Sequence, residues 1–74
     1  MIEEIRQDGK VILSSPGGLL LPMVFNNLCG RNFSKKEYQL YLKYIAFQEM
    51  GFKPGTITYL RDGVLLKTGT IPNL

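Results

Sequence analysis

RNFSKKEYQLYLKYIAFQEMGF, residues 31–52, decides how this chain folds, because one run holds a helix start, a helix body and a helix stop. Ser34 and Glu37 have the spacing of a capping box: the serine hydroxyl accepts the Glu37 N–H, and the glutamate carboxylate reaches back to the Ser34 N–H. Phe33, just before the cap, is placed to pack on Tyr38 as a hydrophobic staple. Gly51 suits the left-handed residue that ends a helix, with Phe52 folding back on Phe47. These signals predict a helix over about 35–50.

Spaced at the α-helical period, that helix has two apolar stripes. Tyr38, Tyr41, Leu42 and Ile45 form one; Leu40, Tyr44 and Phe47 form the other. Lys36, Gln39 and Lys43 mark the polar strip on one side, and Glu37 and Gln48 lie on the other. A surface helix ordinarily buries one stripe. Two stripes mean two neighbours: either the sheet and a second helix of the same chain, or one of these and another molecule. The tyrosines favour an interface, since a ring can be buried while its hydroxyl stays wet.

Cations crowd the helix start, where the dipole is already positive. A lysine in the first turn costs roughly 0.3–1 kcal/mol. Arg31, Lys35 and Lys36 beside free backbone N–H groups predict an anion-binding start, with Lys43 further along the same strip. A nucleic-acid phosphate or an acidic protein loop would dock there; the plainer alternative is a set of solvated cations that keeps the chain soluble. Four cations are few for strong nucleic-acid binding by counterion release.

Working outward, Asp8-Gly9 and Asp62-Gly63 are strong hairpin signals, because a type I′ turn needs positive φ at both central residues. They predict hairpins over 2–15 and 56–68. A regular first hairpin sets Ile5 opposite Ile12 and Glu4 opposite Leu13; a regular second one puts Ile57, Tyr59, Leu66 and Thr68 on one face. Ser14 to Gly18 reads as a loop, Lys53-Pro54-Gly55 as a type II turn, and residues 70–74 as an edge segment or a frayed tail. A shorter helix is predicted at about 22–29, with Leu21, Val24, Phe25 and Leu28 in one stripe and Gly30 just past its end. Extended backbone at Leu19–Leu21 is the alternative there, since the residue before proline avoids the α region. The expected fold is a single α+β domain: an antiparallel sheet of about four strands with both helices on one face.

Composition narrows the chemistry. The 74 residues include one cysteine and no histidine, so an intramolecular disulfide, a Cys/His zinc site and any His-dependent triad are excluded. Cys29, at a helix C-terminus, is predicted to have a raised thiol pKa and to be structural. Glu3 and Glu4 point to opposite strand faces and are no catalytic pair. The glycine-rich loop at 14–18 lacks the Gly-Lys-Ser/Thr ending of a phosphate loop. No cofactor is expected and no enzymatic activity. The longest nearly apolar run, residues 17–25, is about half a membrane span, and the N-terminus lacks a basic signal-peptide region; a cytoplasmic location without membrane contact is expected.

A chain this short buries only about 60% of its unfolded surface. The apolar triplets Val11-Ile12-Leu13 and Val64-Leu65-Leu66 leave grease on both faces of the sheet. Association is therefore expected. The functional expectation is a small protein-binding module, homodimeric, that occupies a surface of a larger protein as an inhibitor or regulatory subunit of phage or mobile-element type. Leu40, Tyr44 and Phe47 are the predicted contacts, with Arg31, Lys35, Lys36 and Lys43 as steering charges. The alternative is a nucleic-acid-binding regulator that uses the same basic helix start.

Overall fold

Two Asp-Gly turns organise the sheet. Asp8 and Gly9 have φ of 54° and 77°, and Asp62 and Gly63 have 50° and 80°, as type I′ turns require. The computed structural model describes residues 1–16 and 20–73. The first turn joins β1 (Glu3–Gln7) to β2 (Lys10–Ser15); the second joins β3 (Gly55–Arg61) to β4 (Val64–Ile71). The four strands form one antiparallel sheet in the order β2-β1-β3-β4. With two helices it makes the α+β fold expected from the sequence.

The register departs from a regular ladder at matching places. In the first hairpin Arg6 pairs with Val11 but Ile5 pairs with Leu13, so Ile12 is an extra, bulged residue. In the second, Leu60 pairs with Leu65 but Tyr59 pairs with Lys67, so Leu66 is extra. The expected pairs Ile5–Ile12 and Glu4–Leu13 are thereby replaced by Ile5–Leu13 and Glu4–Ser14. Thr68, paired with Thr58, moves to the face opposite Ile57 and Tyr59. A bulge adds one residue to one strand, and every side chain beyond it shifts face. The central strands keep the symmetry: Ile5 pairs with Tyr59, its counterpart in the other hairpin, and Glu4–Leu60 and Arg6–Thr58 exchange under the same two-fold relation.

Strand β2 runs through Ser14 and Ser15, which were expected in the loop; the predicted loop residues Gly17 and Gly18 lie outside the described residues. Strand β4 continues to Ile71, which is buried, so the tail is ordered well past Thr68. Helix α1 (Leu20–Leu28) places Pro22 in its first turn, where a missing N–H costs nothing. Leu20 and Leu21 are therefore helical, not extended; Leu19 lies outside the described residues. Leu21, Phe25 and Leu28 are buried, and Val24 packs beside them, as the stripe predicted. The Phe25 ring centre stands 6.1 Å from that of Tyr59. Gly69 lets α1 come this close: a Cβ there would lie 2.5 Å from Cys29 Sγ and 3.1 Å from the Phe25 ring. Ile5, Ile57, Tyr59 and Ile71 meet α1 together with Leu42, Ala46 and Phe52.

The long helix begins as predicted and then changes winding. Ser34 accepts the Glu37 N–H, and Glu37 accepts the Ser34 N–H, completing the capping box. Phe33 stacks on Tyr38 with ring centres 6.5 Å apart, the expected staple. The Tyr38 hydroxyl crosses to α1 and donates to the Leu28 carbonyl, one of the acceptors left open at that helix end. Helix α2 (Lys35–Tyr41) then passes directly into a π-helical segment, Leu42–Met50, which stops at Gly51 in the left-handed conformation (φ 87°). In a π-helix the hydrogen bonds reach one residue farther than in an α-helix. Residues four apart then stay in line, and the inner side reads Leu42, Ala46, Met50.

Beyond the helix, the Gln7 side chain holds the chain in place. Its Nε2 donates to the Lys53 carbonyl (2.6 Å), and its Oε1 accepts the Lys53 N–H (2.8 Å). This side-chain pairing fixes the segment in place of the predicted type II turn; Gly55, at φ 135°, is far from the roughly +80° that such a turn needs.

Candidate functional site

The inner side of helix 35–50 is committed to the core, so its outer side is the first place to look. Leu40 is 51% exposed and Tyr44 48%. Lys36, Leu40 and Tyr44 follow one another at four-residue spacing, all exposed. Lys43 is exposed too, its Nζ 5.3 Å from the centre of the Tyr44 ring. An ammonium over an aromatic face is attracted by the ring quadrupole, which biases Lys43 to lie along Tyr44. Phe47 behaves differently. It is half-buried against the core cluster, so it leaves the outer stripe expected from the sequence. The change of winding after Tyr41 is the reason, because the i, i+4, i+7 stripe presumes α geometry throughout.

Charge on this side is not answered by an ion pair among the described residues. Among the described residues the ion pairs are Arg6–Glu4 (2.6 Å) and Arg61–Glu3 (3.7 Å). Arg31, Lys35, Lys36 and Lys43 are all exposed and take part in neither. Glu37, the acidic residue among them, is engaged by Ser34. The Ser34 hydroxyl and backbone N–H hold the Glu37 carboxyl below its usual pKa. The capping box sets the chain's own Glu37 carboxylate against Ser34 at the helix start, so the cations there stand beside a negative charge.

A second exposed surface lies at the end of the sheet near the second hairpin turn. Val64 is 60% exposed, Leu65 56% and Leu66 49%, and Met1 and Ile2 are exposed as well. The N-terminus is drawn to this turn: the Ile2 N–H donates to Asp62 Oδ1, and the Asp62 N–H donates to the Ile2 carbonyl, both at 2.8 Å. The apolar run Val64-Leu65-Leu66 is visible in the sequence but is not among the contact residues predicted from it. The signal that would have found it is the proximity of Ile2, which only the β1–β3 pairing reveals.

Other chemistry is thinly represented. Glu3 is fully buried, with the Tyr59 hydroxyl donating to one carboxylate oxygen and Arg61 nearby. Burial, and next the bond to Glu3, push the Tyr59 pKa up. A shallow cleft of about 220 Å³ lies at the other end of β1, lined by Gln7, Asp8, Lys10, Ile12, Gly51 and Lys53, so it does not open onto this carboxylate. Cys29 sits half-buried at the end of α1, and burial raises its thiol pKa, the direction expected though not for the expected reason of helix-end charge. No group of three or more Cys, Asp or Glu side chains able to hold a metal occurs among the described residues. No described helix is long and apolar enough to cross a membrane.

Over residues 2–72 the chain matches a family described as a domain of unknown function, DUF7688, and it belongs to that family. No curated protein and no solved structure matches it.

Proposed function

We propose that this protein is a small binding module that acts by seating the outer side of helix 35–50 on another protein, as an inhibitor or regulatory subunit would. One observation carries the reading. Leu40 and Tyr44 stay about half exposed, amid cations that form no ion pair among the described residues, on a helix whose opposite side is anchored by Leu42 and Ala46. Truncated or charged variants at such residues are expected to disturb binding and leave folding intact, because neither residue belongs to the buried core. A cytosolic setting suits the lone thiol. Phage or mobile-element regulators fit the size and remain the expected kind of protein.

The test is a random-peptide display selection against the wild-type chain, repeated with Tyr44→Asp. Binders that lose affinity for the variant while its circular dichroism spectrum stays folded support the proposal. Binders indifferent to Tyr44→Asp place the site elsewhere.

The homodimer expected from the sequence finds its best support at the other surface. Val64, Leu65 and Leu66 lie on the edge strand β4, which has no strand neighbour on its outer side, and such an edge is a template for another strand. Light scattering at two concentrations decides this: a mass that doubles, and halves again in Leu65→Lys, supports a dimer through this end.

A further inference from the structure

We infer that the partner of the helix 35–50 face is an acidic, amphipathic segment of a different protein, not a second copy of this chain and not a nucleic acid. The inference rests on the protein-binding reading above and names the chemistry of the partner.

Consider where the negative charge of this chain goes. Glu3 takes the Tyr59 hydroxyl and lies near Arg61; Glu4 pairs with Arg6; Glu37 closes the helix cap; Asp62 receives the Ile2 N–H. Asp8 stands at the first hairpin turn, and Glu49 near the far end of the helix. A second copy laid against the face brings four more cations and only these scattered carboxylates to meet them. Like charges brought together across an interface are a strong negative determinant. No carboxylate among the described residues is ion-paired with these four cations, which leaves their counter-charge for a different chain to supply.

A nucleic acid supplies negative charge but matches the face poorly. Leu40 and Tyr44 occupy its middle, and a phosphate backbone offers Leu40 nothing to pack on. An acidic amphipathic segment satisfies both features. Its apolar residues cover Leu40 and Tyr44, and its carboxylates flank them to reach Lys36 and Lys43, roughly 10 Å apart along the axis. Arg31 and Lys35 extend the positive field beyond the contact and steer its approach.

The experiment uses the full chain as bait in random-peptide display, with Lys36→Glu/Lys43→Glu as a second bait. The expected wild-type binders carry Asp or Glu on both sides of a short apolar cluster. Their affinity falls about tenfold or more on the charge-reversed bait, and selection on that bait enriches Lys- and Arg-flanked peptides instead. Binders that are neutral, lost on Tyr44→Asp and indifferent to charge reversal overturn the acidic-partner inference while the protein-binding reading stands. An empty selection, or binders indifferent to Tyr44→Asp, overturns both. A duplex oligonucleotide that binds the wild type and is lost on charge reversal reassigns the face to nucleic acid. Self-association abolished by Tyr44→Asp reassigns it to a second copy. Circular dichroism on each bait separates lost binding from lost folding.

Discussion

The outer side of helix 35–50 and the end of the second hairpin expose apolar side chains to a similar degree, yet their charges differ: the hairpin end mixes engaged groups of both signs with Lys67, whereas the helix gathers four cations outside any ion pair among the described residues. At the hairpin end, Asp62 receives the Ile2 N–H and Arg61 turns toward Tyr59 and Glu3. Of the charged groups beside the apolar residues there, Asp62 and Arg61 are engaged within the chain, while Lys67 is exposed and belongs to neither ion pair. Along the helix, Arg31, Lys35, Lys36 and Lys43 have no ion-pair partner among the described residues, and the carboxylate near them is held by the cap. Exposed grease alone does not distinguish an interface. What distinguishes the helix is the coincidence of apolar surface with unanswered charge of one sign, which selects a partner as well as holding it.

That contrast can be broken in several ways. The largest effect should come from beneath the helix. Leu42→Ala is expected to cost about 2–5 kcal/mol, as emptying a fully buried site does, whereas Leu40→Ala on the outer side should fall within about 0.5 kcal/mol. Urea unfolding of the two variants measures the difference, and equal losses would mean that the outer side is core. Next is the closed charge cluster near the hairpin end. Tyr59→Phe removes the donor to the buried Glu3 carboxylate and should cost about 1–3 kcal/mol. The same cluster sets a pH dependence. Because the folded Tyr59 pKa is raised, its contribution is complete below pH 10, the ordinary tyrosine value, and is lost as pH climbs from there through the folded value. Alkaline titration of the unfolding midpoint should show that fall, and it should shrink in Tyr59→Phe.

A smaller effect is expected at the helix cap. Ser34→Ala should cost about 1 kcal/mol and should weaken the acid limb of the stability profile. The Glu37 pKa is lowered in the fold, so its contribution is present above pH 4.5 and is lost as pH falls through the folded value. If Ser34→Ala leaves that limb unchanged, the Glu37 carboxylate is not held by the cap, and its charge is available to neutralise the nearby lysines. The smallest effect belongs to Leu65→Lys, whose stability, compared at a concentration where both proteins are monomeric, should stay within about 0.5 kcal/mol of wild type because the site is exposed in the single chain. Its binding to peptides selected on the helix face should also be unchanged.

Much of this architecture is legible in the residues. Asp8-Gly9, Asp62-Gly63, the Ser34–Glu37 box, the Phe33–Tyr38 staple and Gly51 each act over a few residues, and each is where local chemistry puts it. What the residues did not disclose depends on packing across the fold. The bulges at Ile12 and Leu66 follow no turn signal, and they displaced the expected pairing beyond each turn. Their fates also differ. Ile12 packs against the core cluster, while Leu66 stays exposed; the turn and bulge are alike, so only the helix arrangement separates them. The π-helical winding after Tyr41 likewise carries no local marker. It split the expected Leu40, Tyr44, Phe47 stripe, leaving the first two outside and turning Phe47 toward the core. The cations Arg31, Lys35, Lys36 and Lys43 were identifiable from the sequence. So was the engagement of Glu37 in the cap, but that of Glu3 and Asp62 was not, because their partners come from the far end of the chain.

The most direct test of the two-surface contrast is amide chemical-shift mapping on the wild-type chain, titrated with a display-selected acidic peptide. Perturbations gathered at Lys36, Leu40, Lys43 and Tyr44, with Ile2 and Val64 to Leu66 unmoved, are the predicted result. Shifts concentrated at Val64 to Leu66, with the helix amides still, would contradict the account.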